Sequence, residues 1–222
     1  MSNESELRPS IRMHALDVCR FERKKEDTRR TIISVAMLLF KRQGFDATTM
    51  EQIADEVDIA RKTLYNHFPV KEAIVAGYAQ RALSERWEEL IRQAQGLPDT
   101  RSRMRAVLLG HWEWGQNELT AEILEKYCLY HIQALLLSCK AHSAMTGLAD
   151  ILAYIVRLGQ GANEIRPDLP VELLTDHLDW DYTSAVMHCL ADPEKYPIQE
   201  GIDRGISLLL DGAGCRAGGN NR

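Results

Sequence analysis

Between Thr48 and Pro69 the run TTMEQIADEVDIARKTLYNHFP constrains the chain more tightly than any other segment, because it carries two helix patterns with a turn between them. Either Thr48 with Glu51 or Thr49 with Gln52 makes a capping box that starts the first helix. Ile53, Ala54 and Val57 then form one apolar face, with small Ala54 where two crossing helices approach closely. Asp58 stands at the turn, and aspartate is among the few residues that tolerate left-handed backbone. Ile59 and Leu64 are spaced to fill the wedge between the helices, and Pro69 closes the second one. The layout is a helix-turn-helix.

The second helix is unusually rich in hydrogen-bonding side chains for so short an element. A solvated helix end would explain its polarity but not the matched helix before it. A recognition helix lying in a DNA major groove explains both, since its exposed side chains reach base edges while flanking groups hold phosphates. Arg61 and Lys62 then suit phosphate or guanine, Thr63 and Asn66 suit base edges, and Tyr65 and His67 suit phosphate oxygens. Lys71, at the start of the next helix, adds a cation beside free backbone amides. Thr48 and Thr49 complete the expected DNA-facing set.

Upstream, Ile32, Ile33, Ala36, Met37, Leu39 and Phe40 recur at helical spacing from Thr28 onward. Lys41 and Arg42 sit in the last turn and Gly44 follows as a left-handed cap. The net charge of −5 argues against a nucleic-acid partner only as an average. Residues 1–72 hold 13 basic against 12 acidic side chains and the remainder 14 against 20, with six bases in RFERKKEDTRR alone. A phosphate backbone feels that local field.

Beyond Lys71 every segment reads helical: KEAIVAGYAQRALSERWEELIRQ as far as GLPD, then about 100–116, 119–139, 145–163, 171–191 and 198–211. No stretch alternates with period two. The expected fold is all-α with about nine helices: a three-helix DNA-binding domain over 27–72 and a helical bundle over 73–214, flanked by a flexible arm (1–26, with a helical turn at MHALDVCRF) and a flexible tail (215–222). The five cysteines, Cys19, Cys128, Cys139, Cys189 and Cys215, form no CxxC pair and suggest neither a disulfide framework nor a zinc site. No run approaches membrane-spanning length, and MSNESELRPS lacks a basic-then-apolar signal layout, so a soluble cytoplasmic protein is expected.

The run TTMEQIADEVDIARKTLYNHFPVKEAI resembles the DNA-binding signature of TetR-type (TetR/AcrR) transcriptional regulators. Gly44-Phe45 matches the glycine-aromatic pair ending their first helix, Tyr65, His67 and Phe68 match their tyrosine-x-histidine-phenylalanine block, and Lys71 matches the lysine that follows. The resemblance covers about residues 28–85. Asp58 departs from a frequent turn glycine, Ala60 from a frequent capping serine, and Lys62 from a small residue. What the resemblance implies is a homodimeric, ligand-responsive regulator, a repressor released from a palindromic double-stranded operator by a small molecule held in the C-terminal domain. The apolar stripes of VELLTDHLDWDYTSAVMHCL and IQEGIDRGISLLL suit such a dimer.

Trp112, Trp114, Tyr127, Tyr130, His131, Tyr154, Trp180 and Tyr182 are candidate walls for an apolar or aromatic effector. The competing reading is a small α-helical enzyme or binding module using His111, His131, His142, His177 and His188 with Cys128, Cys139 and Cys189. None of these stands in a ligand motif or nucleophile elbow, although Cys128 and His131 lie one helical turn apart. Asp176, Asp179 and Asp181 read as a solvated acidic face. No catalytic residue, metal site or cofactor is expected.

Overall fold

The computed structural model describes the backbone of residues 7–137 and 147–213, and the side chains of residues 22–134 and 147–212. Among the described residues there are nine helices and no strand. They are α1 (Leu7–Gln43), α2 (Met50–Val57), α3 (Arg61–His67), α4 (Lys71–Gln95), α5 (Thr100–Glu118), α6 (Ala121–Leu137), α7 (Leu148–Gly161), α8 (Val171–Ala191) and α9 (Ile198–Ala213). The tail expected over 215–222, together with Cys139 and His142, lies outside the described residues.

Two compact units divide the chain, Met1–Ile74 and Val75–Arg222, with the boundary inside the first turn of α4. In the first unit α1 packs on α2 and α2 on α3. Ile32, Ile33, Ala36 and Phe40 of α1, Ile53 and Ala54 of α2, Leu64 of α3, and Phe45 and Phe68 from the connections are all nearly or fully buried. Each large apolar side chain so enclosed contributes about 1.5–3 kcal/mol.

Helix α1 is helical from Leu7, where the sequence reading placed an irregular arm as far as residue 26. That reading followed apolar periodicity, which begins only at Ile32. The segment before it lacks glycine, is rich in Arg, Lys and Glu, and carries its proline in the first turn, where a missing N–H costs nothing. Glu26 and Arg30 add an i,i+4 ion pair at 3.4 Å.

In the second unit α8 packs against α6, α7 and α9, and α5 against α6, α7 and α9. Asp99 caps α5, its Oδ1 accepting the Ser102 N–H at 2.7 Å. The α8–α9 approach is close enough that a Cβ at Gly201 would meet the Cβ of Ala185 at 2.8 Å. The apolar stripes of these two helices therefore meet each other in part.

Candidate functional site

The turn that presents α3 is built largely from backbone hydrogen bonds. Gly44 closes α1 with φ +91°, its N–H donating to the Phe40 carbonyl at 3.0 Å. Of the two possible capping boxes the chain forms the second: Thr49 Oγ1 accepts the Gln52 N–H at 3.1 Å and Gln52 Oε1 accepts the Thr49 N–H at 2.9 Å. Asp58 takes the left-handed conformation at φ 56°, and the Ile59 N–H reaches back to the Ala54 carbonyl at 3.0 Å. Ala60 starts α3 with no side-chain cap, leaving its carbonyl to accept from Thr63 N–H at 2.8 Å.

Leu64 and Phe68 face the core, at 0% and 1% exposure, and fix which side of α3 looks outward. Arg61, Lys62, Tyr65 and Asn66 are exposed, while Thr63 and His67 are half-buried. Arg61 meets Glu51 at 3.8 Å in an exposed ion pair, which holds it weakly. Burial first, and then the positive charges of Arg29 and Lys25, keep the His67 imidazole below its usual range. Arg29 itself lies over the Phe68 ring at 4.3 Å. The flank of α3 thus gathers cations contributed by α1.

Two residues of the expected DNA-facing set serve the fold instead. Thr48 is fully buried, and its hydroxyl donates to the Gly44 carbonyl at 2.8 Å while accepting from Gln43 Nε2 at 3.3 Å. Its side chain has no path to a nucleic acid. Lys71 Nζ donates to the carbonyls of Phe45 and Thr48, each at 2.7 Å, and to Asp46 at 3.5 Å, and lies 4.5 Å from the Phe45 ring centroid. With three N–H groups and three carbonyls, the ammonium is a clasp across the α1–α2 connection and not a ready phosphate contact. Lys71→Met is expected to destabilise the first unit by about 2 kcal/mol, since bonds to a charged donor are lost. Urea unfolding followed by circular dichroism measures this, and an unchanged midpoint would show the clasp to be idle.

The second unit holds a cavity of about 30 Å³ that opens into about 470 Å³ of surrounding space, solvent included. Its walls are three helical stripes: His111, Trp112, Trp114 and Gly115 of α5, Leu124, Tyr127, Cys128 and His131 of α6, and Asp179, Tyr182, Thr183 and Val186 of α8, with Leu148 of α7 completing it. On α6 and α8 the spacing is i, i+3, i+4, i+7, one face of each helix. Five expected wall residues are therefore brought together: Trp112, Trp114, Tyr127, His131 and Tyr182. Tyr130, Tyr154 and Trp180 are not among them. Trp180 follows Asp179 by one residue, a rotation that carries it out of the cavity to 45% exposure. Tyr154 takes a hydrogen bond from Gln95 Nε2 at 2.6 Å, away from the walls.

Asp179 corrects the reading of a solvated acidic face, because it is 1% exposed. His131 Nε2 lies 3.0 Å from its Oδ2, and since a carboxylate only accepts, the proton sits on Nε2. Across the cavity His111 Nδ1 pairs with the Tyr182 hydroxyl at 2.9 Å. His111 Nε2 and the Tyr127 hydroxyl are buried with no hydrogen-bond partner among the described residues. Burial pushes the Cys128 thiol up to about 12, with the Asp179 charge adding to it, so at neutral pH it is no thiolate nucleophile. Among the described residues no three His, Cys, Asp or Glu side chains are grouped so as to hold a metal ion.

Burial likewise lowers the His111 pKa from 6.5 to about 4. The unfolded chain takes up a proton below pH 6.5 that the folded chain refuses until about pH 4. Stability is thus expected to fall by about 3 kcal/mol as pH drops through that window, and to be unaffected above it. Unfolding of wild type and His111→Gln from pH 7 to pH 4.5 checks this: the wild type should lose more, and parallel curves would contradict it.

A polar, cation-flanked α3 held outward by two buried side chains defines a helix-turn-helix protein that reads DNA. Residues 32–83 match the family model described as bacterial regulatory proteins, tetR family. The HTH-type transcriptional regulator UidR of Escherichia coli K12 is 29% identical over 194 residues, covering 84% of this chain and 93% of that one. The HTH-type transcriptional repressor KstR2 of Rhodococcus jostii RHA1 is 26% identical over 152 residues, 67% and 73% of the two chains. Among solved structures, FadR of Thermus thermophilus, a TetR family transcriptional repressor in complex with lauroyl-CoA, superposes with a TM-score of 0.69 at 26% identity, covering 87% of this chain and 99% of that one. Residues 32–83 are thus a tetR-family DNA-binding domain, and the chain is a DNA-binding transcriptional regulator similar over most of its length to TetR-type proteins. No helix among the described residues is long and apolar enough to cross a membrane.

Proposed function

We propose that the protein is a repressor that sits as a homodimer on a palindromic operator and is released by a small molecule bound in the second-unit cavity. The observation that carries the DNA half is the outward face of α3, where Arg61, Lys62, Thr63, Tyr65, Asn66 and His67 surround the buried anchors Leu64 and Phe68. A single seven-residue helix reads few bases, so a second copy one helical turn of DNA away supplies the missing affinity. Leu173, Trp180 and Leu208 are 45%, 45% and 67% exposed on α8 and α9, an apolar surface suited to that second copy. The aromatic cavity supports the effector half.

Helix α4 offers the means of release. It begins in the first unit at Lys71, and within the second unit its Tyr78 ring packs 5.8 Å from Trp114, a cavity wall, while the Tyr78 hydroxyl donates to Glu118 at 2.8 Å. An effector displacing Trp114 tilts α4 and spoils the roughly 34–36 Å spacing of the recognition helices. A few kcal/mol of preference for the tilted state suffices.

Selection of operator sequences from random duplexes tests the DNA half. Tyr65→Ala and Asn66→Ala are each expected to weaken binding to the selected site by about 1–3 kcal/mol while helicity is kept. Failure to enrich any palindrome, or unchanged binding by both variants, would remove α3 from the contact surface.

A further inference from the structure

The cavity has more hydrogen-bonding capacity than the protein uses. Tyr127 is 5% exposed and its hydroxyl lacks a partner, and His111 Nε2 in the same walls is likewise enclosed and unpartnered. Buried polar atoms are rarely left so unless a ligand or water completes them. If Tyr182 donates to His111 Nδ1, then Nε2 carries a hydrogen to give; in the other tautomer it accepts. The remaining wall is aromatic and aliphatic.

Charge narrows the occupant further. Among the described residues no Lys or Arg lines the cavity, and the Asp179 carboxyl in its wall accepts from His131. A carboxylate or phosphate placed there meets the Asp179 carboxyl with no Lys or Arg among the described wall residues, which is unfavourable. An ammonium group would have to compete with His131 for Asp179 and would leave the Tyr127 hydroxyl donor unanswered.

We infer that the effector is an uncharged molecule with an apolar body and a hydroxyl or carbonyl group that completes the hydrogen bond of Tyr127 or of His111. The inference rests on the reading of this cavity as the effector site. In the unliganded protein water can serve these atoms, and a ligand oxygen replaces it without loss. The apolar body meets Trp112, Leu124 and Leu148.

Equilibrium dialysis with two matched series tests it: benzene, phenol and benzoate, and naphthalene, 2-naphthol and 2-naphthoate. The phenol of at least one series is expected to bind about tenfold or more tighter than both its hydrocarbon and its carboxylate, the worth of one well-made buried hydrogen bond. Tyr127→Phe or His111→Gln should erase most of that preference, and Tyr127→Phe should melt no lower than wild type because its hydroxyl has no protein partner to lose. Hydrocarbon binding equal to phenol, a carboxylate binding tightest, or a preference that survives both substitutions overturns the inference and leaves the cavity reading standing. No binding by any of the six compounds overturns both.

Discussion

His131→Leu is expected to destabilise the second unit by roughly 3–5 kcal/mol, because it takes from the buried Asp179 carboxyl the N–H that answers it. The bond is 3.0 Å long and joins side chains of 6% and 2% exposure. Asp179→Leu should cost a comparable amount from the other side. The double variant is the informative one: with the polar pair replaced by two apolar side chains, most of the loss should be recovered. Urea unfolding of the four proteins measures the cycle. Additive costs would mean that the two residues act separately and that the pair contributes nothing as a pair.

Operator affinity is expected to collapse with salt. Arg61 and Lys62 on each α3, with Arg29 and Lys25 beside it, give a dimer enough cations for about six to ten phosphate contacts. Release of the counterions from that many phosphates lowers affinity about 10³- to 10⁵-fold between 50 and 200 mM salt. The whole-chain charge of −5 does not soften this, since screening confines each phosphate to charges within about 10 Å. A fluorescence-anisotropy titration across that range gives the slope, and a flat line would mean that the contact surface lies elsewhere. Lys62→Ala should reduce the slope by about one per protomer.

The legible parts of the fold are those whose causes are local. The helix start at Thr48–Thr49, the glycine stop at Gly44 and the left-handed Asp58 are each decided within about six residues and are legible in the sequence, although which of the two capping boxes forms is not. The fold-holding bonds of Thr48 and Lys71 are not legible because their acceptors are backbone carbonyls, which leave no mark on residue type, and in the case of Lys71 they lie 23 to 26 positions away. His131 and Asp179 are 48 residues apart, so their pairing also leaves no local trace. Asp179 nevertheless carried a usable signal: it opens the same i, i+3, i+4, i+7 stripe as Tyr182, Thr183 and Val186, and extending that stripe backward places it inside and Trp180 outside. Aromatic content alone could not make that distinction.

Asp58 has a consequence beyond permitting the turn. Its left-handed backbone is held by amide-to-carbonyl bonds of the α2 end, so the angle at which α3 is presented does not depend on the carboxylate it bears. Asparagine is equally at home in that conformation, and Asp58→Asn would keep the bend while deleting an exposed negative charge from the DNA-binding unit. Shape and charge are therefore separate dials in this motif: the first is turned by the main chain, and the second can change without moving the helix.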